Sequence, residues 1–175
     1  MDEPRRRTVQ VLDTTALLAG LLEHGPASLV TVKDIIEEVR YGGIAPERLM
    51  TAVDSGLLEV KTPNPIYISK VRETAEKSGD LPGLSNADIN LIAVALEEHE
   101  RGYDVTLVSD DYSIQNTAIQ LGLKVLGSIH PTIRRPLKWF FICTGCGFEA
   151  SSSTLVCPRC GSTVVKTARR QGSGY

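Results

Sequence analysis

All four cysteines of this 175-residue chain fall in one pattern, Cys143-x2-Cys146-x10-Cys157-x2-Cys160, and a glycine closes each pair, Gly147 and Gly161. Two thiolates at this spacing project from one tight turn, and two such turns supply the tetrahedron of soft ligands that Zn²⁺ prefers. The glycines can adopt the positive φ at which each turn folds back. Two disulfides are the alternative, but no secretory signal precedes the pattern and no further cysteine extends a framework. One structural Zn²⁺ in a ribbon is therefore expected. Four thiolates leave no open coordination position, so any reaction must be carried by other residues.

Carboxylates are the remaining candidates. Asp13 follows the apolar run 9–12, and Asp110 and Asp111 follow the run 105–108. Each acidic turn adjoins a hydroxyl residue, Thr14 or Ser109, and opens a helical pattern. Asp88 lies in the first turn of a helix that Ser85 caps, and Glu38 rides on an earlier helix beside Glu37. In an open α/β sheet, sites form beyond the carboxyl ends of the strands, where the strand order switches. Carboxylates gathered there repel one another unless a cation holds them. Hard oxygen ligands select Mg²⁺ or Mn²⁺. One or two such ions would orient a water, assist its deprotonation and stabilise a phosphodiester under in-line attack. Each acid also has a local explanation: Asp13 and Asp110 as helix N-caps, Asp88 as the partner of Ser85 in a capping box, Glu38 as a solvated helix residue. Their joint arrangement is what points to phosphodiester hydrolysis. His24, His99 and His130 are isolated, and neither GxxxxGK[ST] nor GxGxxG occurs.

The elements that must position these residues are legible from periodicity. Strand patterns occupy 8–12, 29–32, 57–60, 105–108 and 124–127, and helical patterns cover 16–22, 35–39, 46–55, 66–77, 85–101 and 113–121. Thr31 and Asp34 have capping-box spacing ahead of the second helix. Strands alternating with helices imply an α/β fold whose parallel sheet is covered on both faces. An α/β domain of ordinary size over 1–127, a proline-containing linker over 128–138, a ribbon over 139–166 and a polar tail over 167–175 complete the expected organisation. Trp139, Phe140 and Phe141 stand beside Arg134, Arg135 and Lys138. Such a group can stack on bases or pack the ribbon core.

Charge divides the same way. From Lys124 onward eight Lys and Arg face one acid, Glu149, for a net +7, whereas the first 123 residues hold 11 basic against 20 acidic residues, for a net −9. An acidic body suits the collection of divalent cations, and a basic appendage suits phosphates. No apolar run reaches the length of a membrane span, so a soluble cytoplasmic protein is expected.

Four segments resemble the motifs of PIN-domain ribonucleases: 11–18 around Asp13, 31–40 around Glu38, 79–89 around Asp88 and 107–116 around Asp110 and Asp111. A PIN domain followed by a four-cysteine ribbon is similar to the archaeal Nob-type endonucleases, which mature the 3′ end of small-subunit ribosomal RNA. The likeness implies a PIN-like fold with Asp13, Glu38, Asp88 and Asp110 or Asp111 as ligands of catalytic Mn²⁺ or Mg²⁺. Many PIN domains read Thr-x-Asp in the fourth motif, which would select Asp111, but this chain reads Ser109-Asp110-Asp111. The basic side chains of the linker and ribbon, Arg134, Arg135, Lys138, Arg159 and Lys166, are the expected RNA contacts. The expected partners are precursor small-subunit rRNA, the small ribosomal subunit and assembly-factor proteins, without a membrane. A non-catalytic RNA-binding assembly factor and a PIN ribonuclease acting on another RNA are the rival readings.

Overall fold

Central strands that are apolar without alternation can be buried only when helices cover both faces of their sheet. Leu29, Val30, Thr31 and Val32 are all buried in this way. The computed structural model describes residues 7–20, 27–41, 46–133, 135–150 and 156–170. The first unit runs β1 (Thr8–Leu12), α1 (Thr14–Leu18), β2 (Ser28–Val32), α2 (Lys33–Tyr41), α3 (Pro46–Asp54), β3 (Leu58–Lys61), α4 (Pro65–Ser78), α5 (Asn86–Glu100), β4 (Asp104–Val108), α6 (Tyr112–Gln120) and β5 (Lys124–Leu126). A short 3-10 turn, Leu81–Gly83, joins α4 to α5.

The five strands are parallel, in the order β3-β2-β1-β4-β5. The chain grows outward from β1 to β2 and β3, then returns to place β4 on the other side of β1. The strand order therefore switches between β1 and β4. Leu12 lies opposite Val108 in that pair, so Asp13 and Ser109 leave the sheet side by side. The Asp13 amide still donates to the Val108 carbonyl at 3.1 Å.

Helix α5 makes the return crossing and packs on β1, β2 and β4. It is apolar almost all round, with Ile89 and residues 91–96 buried, as a helix wrapped by neighbours must be. Each buried Leu or Ile contributes roughly 1.5–3 kcal/mol of transfer free energy, so this helix anchors the core. Its N-terminus is set by a reciprocal box: the Ser85 hydroxyl accepts from the Asp88 amide at 3.1 Å, and the Asp88 carboxylate accepts from the Ser85 amide at 2.7 Å. Thr31 forms no such box. It lies within β2 and its hydroxyl donates to the Leu12 carbonyl at 2.9 Å, because a buried strand position gives it a nearer acceptor than the helix start.

The second unit is a three-stranded antiparallel sheet, β7-β6-β8, made of β6 (Leu137–Cys143), β7 (Glu149–Ala150) and β8 (Val164–Arg170). Its ladder extends past the boundaries expected from apolar content, starting at Leu137 and ending at Arg170, its partner in register. Residues 167–170 thus belong to a strand and not to a tail, since backbone pairing rewards polar residues as well as apolar ones. The ribbon's own core is small: Cys143, Cys157 and Val164 with Phe141, Phe148 and Ala150 packed against them. A core of that size does not hold a fold without a staple. Among the described residues no helix is long and apolar enough to cross a membrane.

Candidate active site and metal centre

Asp13 caps α1 from extended backbone and is buried at 7% exposure. One carboxylate oxygen accepts from the Thr14 amide at 2.6 Å, and the other accepts from the Ser109 hydroxyl at 2.7 Å, with Thr15 more distant at 3.4 Å. Burial pushes its carboxyl above the ordinary aspartate range against the opposing pull of Ser109 and Thr14, and the charges of Asp88 and Asp111 push it further. Glu38 reaches the same edge from α2, where the Thr14 hydroxyl donates to it at 3.4 Å. Its carboxyl is also raised, first by desolvation and then by Asp88, Asp13 and Asp34. These mutual effects bring Asp13, Glu38, Asp88 and Asp111 into one electrostatic neighbourhood.

Neighbouring acids that the sequence left ambiguous separate cleanly. Glu37 is exposed and pairs with Lys33 at 3.2 Å, whereas Glu38 accepts from the Thr14 hydroxyl at the end of β1. Asp111 caps α6, accepting from the Ser113 amide at 2.6 Å and the Ile114 amide at 3.2 Å, while its own amide donates to the Ser109 hydroxyl at 3.1 Å. Asp110 faces the linker. It accepts from the amides of Ser128, Ile129 and His130 at 2.9, 3.0 and 2.9 Å, and from the Ser128 hydroxyl. Those donors, the Ser128 hydroxyl foremost, hold its carboxyl down at about 2.

Among the described residues no Lys or Arg pairs with Asp13, Glu38, Asp88 or Asp111, although pairs are plentiful elsewhere on the body. The open cleft beside them, about 490 Å³, is lined by Asp34, Glu37, Glu38, Ser85, Asn86 and Ala87. Neighbouring carboxylates without a basic partner among the described residues, two of them, Asp13 and Glu38, held above their ordinary pKa by burial first, are a donor set suited to a hard divalent cation. They are not a closed cage. Among the described residues, only the four cysteines form a group whose ligand atoms all lie within 4.8 Å.

The cysteine centre is built from two copies of one turn. Gly147 and Gly161 sit at φ 69° and 74°, and their amides donate to the carbonyls of Cys143 and Cys157 at 3.1 and 2.9 Å. The Cys143 and Cys157 amides bond Phe148 and Ser162 at 2.9 and 2.8 Å in matching fashion. The sulfurs of Cys143 and Cys160 are 3.4 Å apart and those of Cys146 and Cys157 are 3.8 Å apart. Both distances exceed a disulfide bond of about 2.05 Å and match the roughly 3.8 Å edge of a tetrahedron with metal–sulfur bonds of about 2.3 Å. Amides of Gly145 and Arg159 donate to Cys143 and Cys157 sulfurs at 3.3 and 3.4 Å, and the Ser162 hydroxyl brings the Cys160 thiol down to about 6. This is a centre that can hold one soft metal ion.

Residues 10–97 match the model of the PIN domain of ribonuclease. The chain is 35% identical over 170 residues to an endoribonuclease Nob1 of Archaeoglobus fulgidus, covering 95% of this chain and 97% of that one. It is 34% identical over 167 residues to the endoribonuclease Nob1 of Pyrococcus abyssi, with 93% and 96% covered. A ribonuclease VapC1 of Thermoplasma acidophilum is 35% identical over 158 residues, spanning 90% of this chain and 77% of that protein. The chain belongs to the PIN-domain endoribonucleases. Its PIN domain carries the acids at the β1–β4 switch, and the four-cysteine ribbon follows.

The cationic candidates are not gathered on one surface. Arg135, Lys138, Arg159 and Lys166 are all exposed. Lys138 lies over the Phe140 ring at 5.6 Å, whereas Lys166 lies over Trp139 at 4.3 Å and stands opposite Phe141, on the other face of the sheet by strand alternation. Arg134 lies outside the described residues. Phe141 packs the ribbon core, and the Trp139 ring is taken up by Lys166 and by a bond from its indole N–H to Asp80. Ser109, Gln115, Asn116 and Asp80 stand out in the sequence only as members of the motifs. Only burial sets them apart, and it is not visible in the sequence: all four are fully buried, and each is hydrogen-bonded.

Proposed function

We propose that this PIN-domain ribonuclease is a metal-dependent, single-strand RNA endonuclease that processes the 3′ end of precursor small-subunit rRNA in the cytoplasm. The reading rests on one observation at the β1–β4 switch of a PIN domain: Asp13 feels the charges of Asp88 and Asp111, Glu38 those of Asp88 and Asp13, and among the described residues no Lys or Arg pairs with any of the four. Its archaeal relatives named endoribonuclease Nob1 support the choice of RNA.

Asp13, Glu38, Asp88 and Asp111 would hold one or two Mn²⁺ or Mg²⁺ ions, and the four cysteines one structural Zn²⁺. A bound divalent ion supplies charge for the phosphoryl oxygens and lowers the pKa of a water at the cleft. Ser109 orients Asp13 through its hydroxyl and fixes the turn before Asp111 through the Asp111 amide. Thr14 ties Glu38 to the same turn. Because Asp13 and Glu38 are held above their ordinary pKa, protons and cations compete for them, and cation affinity rises with pH through the acid range. Asp110, saturated by the linker, is a scaffold residue and not a ligand. Arg135, Lys138, Arg159 and Lys166 supply phosphate contacts on either face of the ribbon, with the small ribosomal subunit and its assembly factors as surroundings.

The test is to map the termini that purified protein produces on a precursor rRNA fragment with Mn²⁺, with Mg²⁺ and with chelator, beside the Asp13→Asn variant. One metal-dependent terminus at the mature 3′ end, absent from the variant, is expected. Wild-type cutting by Asp13→Asn would sink the assignment of the site. The relative named ribonuclease VapC1 favours a second reading, a PIN ribonuclease acting on another RNA. Metal-dependent cutting with no preference for the rRNA junction would select it.

A further inference from the structure

Asp80 belongs to the Gly79-Asp80 phrase ahead of Asp88, yet it is not among the charges that perturb Asp13 or Glu38. Its side chain is 0% exposed. One oxygen accepts from the Trp139 indole N–H at 2.6 Å, and the other accepts from the Asn116 amide at 2.6 Å and the Ser78 hydroxyl at 2.5 Å. Asn116, also fully buried, uses its remaining atoms on the first residue of β6: it accepts from the Leu137 amide at 2.7 Å and donates to the Leu137 carbonyl at 2.9 Å. Gln115 beside it accepts from the Ile133 amide at 2.8 Å and donates to the Ser109 carbonyl at 2.8 Å. Gly79, at φ +81°, leaves room for Trp139, whose Cβ would lie 3.1 Å from any Cβ added there.

Buried polar groups cost free energy unless bonded, so three such side chains committed to the chain entering the ribbon mark a built joint. Asn116 follows Asp111 by five residues along α6, which sets the start of β6 about 7–8 Å along the helix axis from that acid. A free linker of the nine residues 128–136 would instead let the ribbon wander over roughly 15–18 Å.

We propose that Asp80, Asn116 and Trp139 form a latch that holds the ribbon at one distance and orientation from the carboxylate cleft, and thereby sets where a ribbon-bound RNA is cut. These are positioning residues, and the inference rests on the RNA-endonuclease reading above. Asp80→Asn is the sharpest probe. It preserves shape but replaces two acceptor oxygens by one, so an NH₂ group must face either the indole or the Asn116 amide.

Trp139 is the only tryptophan in the chain, so its fluorescence reports the latch directly. In Asp80→Asn, a red-shifted emission and at least twofold stronger acrylamide quenching are expected, with zinc content unchanged. Cutting of a short single-stranded RNA that cannot reach the ribbon should stay within about twofold of wild type. On the precursor fragment, one dominant terminus should become several, with KM raised and kcat kept. Trp139→Phe, which removes the N–H and retains a ring, should give the same spread of termini and covers the case in which Asp80→Asn does not fold. Unchanged quenching in Asp80→Asn would overturn the latch, and so would an exposed Trp139 with a single, unshifted terminus. Failure of the wild-type protein to cut any RNA would count against the catalytic reading, while the fluorescence of Asp80→Asn still decides the latch.

Discussion

The cysteines and the candidate carboxylates of this chain are assembled in opposite ways. The four thiolates come from two local turns of one small sheet and already lie within 4.8 Å of one another. The four carboxylates come from β1's end, α2, α5 and α6, and each also serves its own element: Asp13, Asp88 and Asp111 in caps, Glu38 with Thr14. A closed soft-ligand centre stabilises a fold too small to stand alone. The proposed hard-ligand centre would do the reverse: burial first, and neighbouring charge second, hold Asp13 and Glu38 above their ordinary pKa, and the larger core tolerates that cost. Closure suits structure, and openness suits turnover.

Removing the metal from the thiolate centre should have the largest effect. Cys143→Ser, or a zinc chelator, is expected to unfold the ribbon while leaving the parallel sheet intact, since apparent binding free energies of about 10 kcal/mol or more are folding free energy in such modules. Loss of one equivalent of zinc by elemental analysis, with Trp139 released and helical circular dichroism retained, checks this. If the ribbon keeps its structure without metal, the contrast between the clusters disappears.

Asp13→Asn addresses the other cluster. Cleavage should fall by roughly 10²–10³-fold or more as a cation ligand is lost, at unchanged RNA affinity. Stability should move the other way. A carboxyl whose folded pKa is raised above its unfolded value destabilises the fold progressively as pH rises through the acid range. The variant should therefore melt higher than wild type at neutral pH in metal-free buffer, and the difference should vanish on acidification or on adding Mn²⁺. A lower melting temperature in metal-free buffer would show that burial and neighbouring charge do not raise the Asp13 carboxyl.

Asp111→Asn and Asp110→Asn sharpen the comparison within one dipeptide. The first should cost about 10–100-fold in rate on any RNA. The second should leave a short substrate's rate nearly unchanged but free the linker, seen as faster amide exchange at 128–130. Asp110 has its pKa lowered to about 2, so its contribution is present above the unfolded value of 3.8 and is lost as pH falls from there through about 2. Equal losses of rate in both variants would return the fourth-ligand question to its starting point.

Ser85→Ala is the mildest change. Loss of one side of the capping box should cost about 1 kcal/mol and lower Tm by about 2–4 °C. A further small loss of rate is expected, because the Ser85 amide and hydroxyl together fix where Asp88 points.

Much of this architecture was legible in the chain. CxxC turns closed by glycine fix a metal knuckle through contacts within a few residues, and the periodicity of α4, α5 and β4 placed those elements to within a residue or two. The same local logic explains why capping and site membership looked like alternatives for Asp13 and Asp88 and prove compatible: a cap uses one or two of a carboxylate's lone pairs and leaves the others free.

Local signals failed where a partner lay far along the sequence. Thr31 had capping-box spacing but found the Leu12 carbonyl across the sheet. Residues 167–170 read as tail because their pairing partners are 30 or so residues away, in β6. Asp110 and Asp111 are chemically identical neighbours, and only the linker's return past β5 gives the first of them four donors, while the second caps α6. Turn geometry and helix and strand periods are short-range, so the residue pattern alone names the candidate metal-binding residues and roughly which elements carry them. Which carboxylates meet, and how the ribbon is held against the body, was decided only by tertiary structure. Those facts depend on strand order, register and buried hydrogen bonds between segments that no local pattern connects.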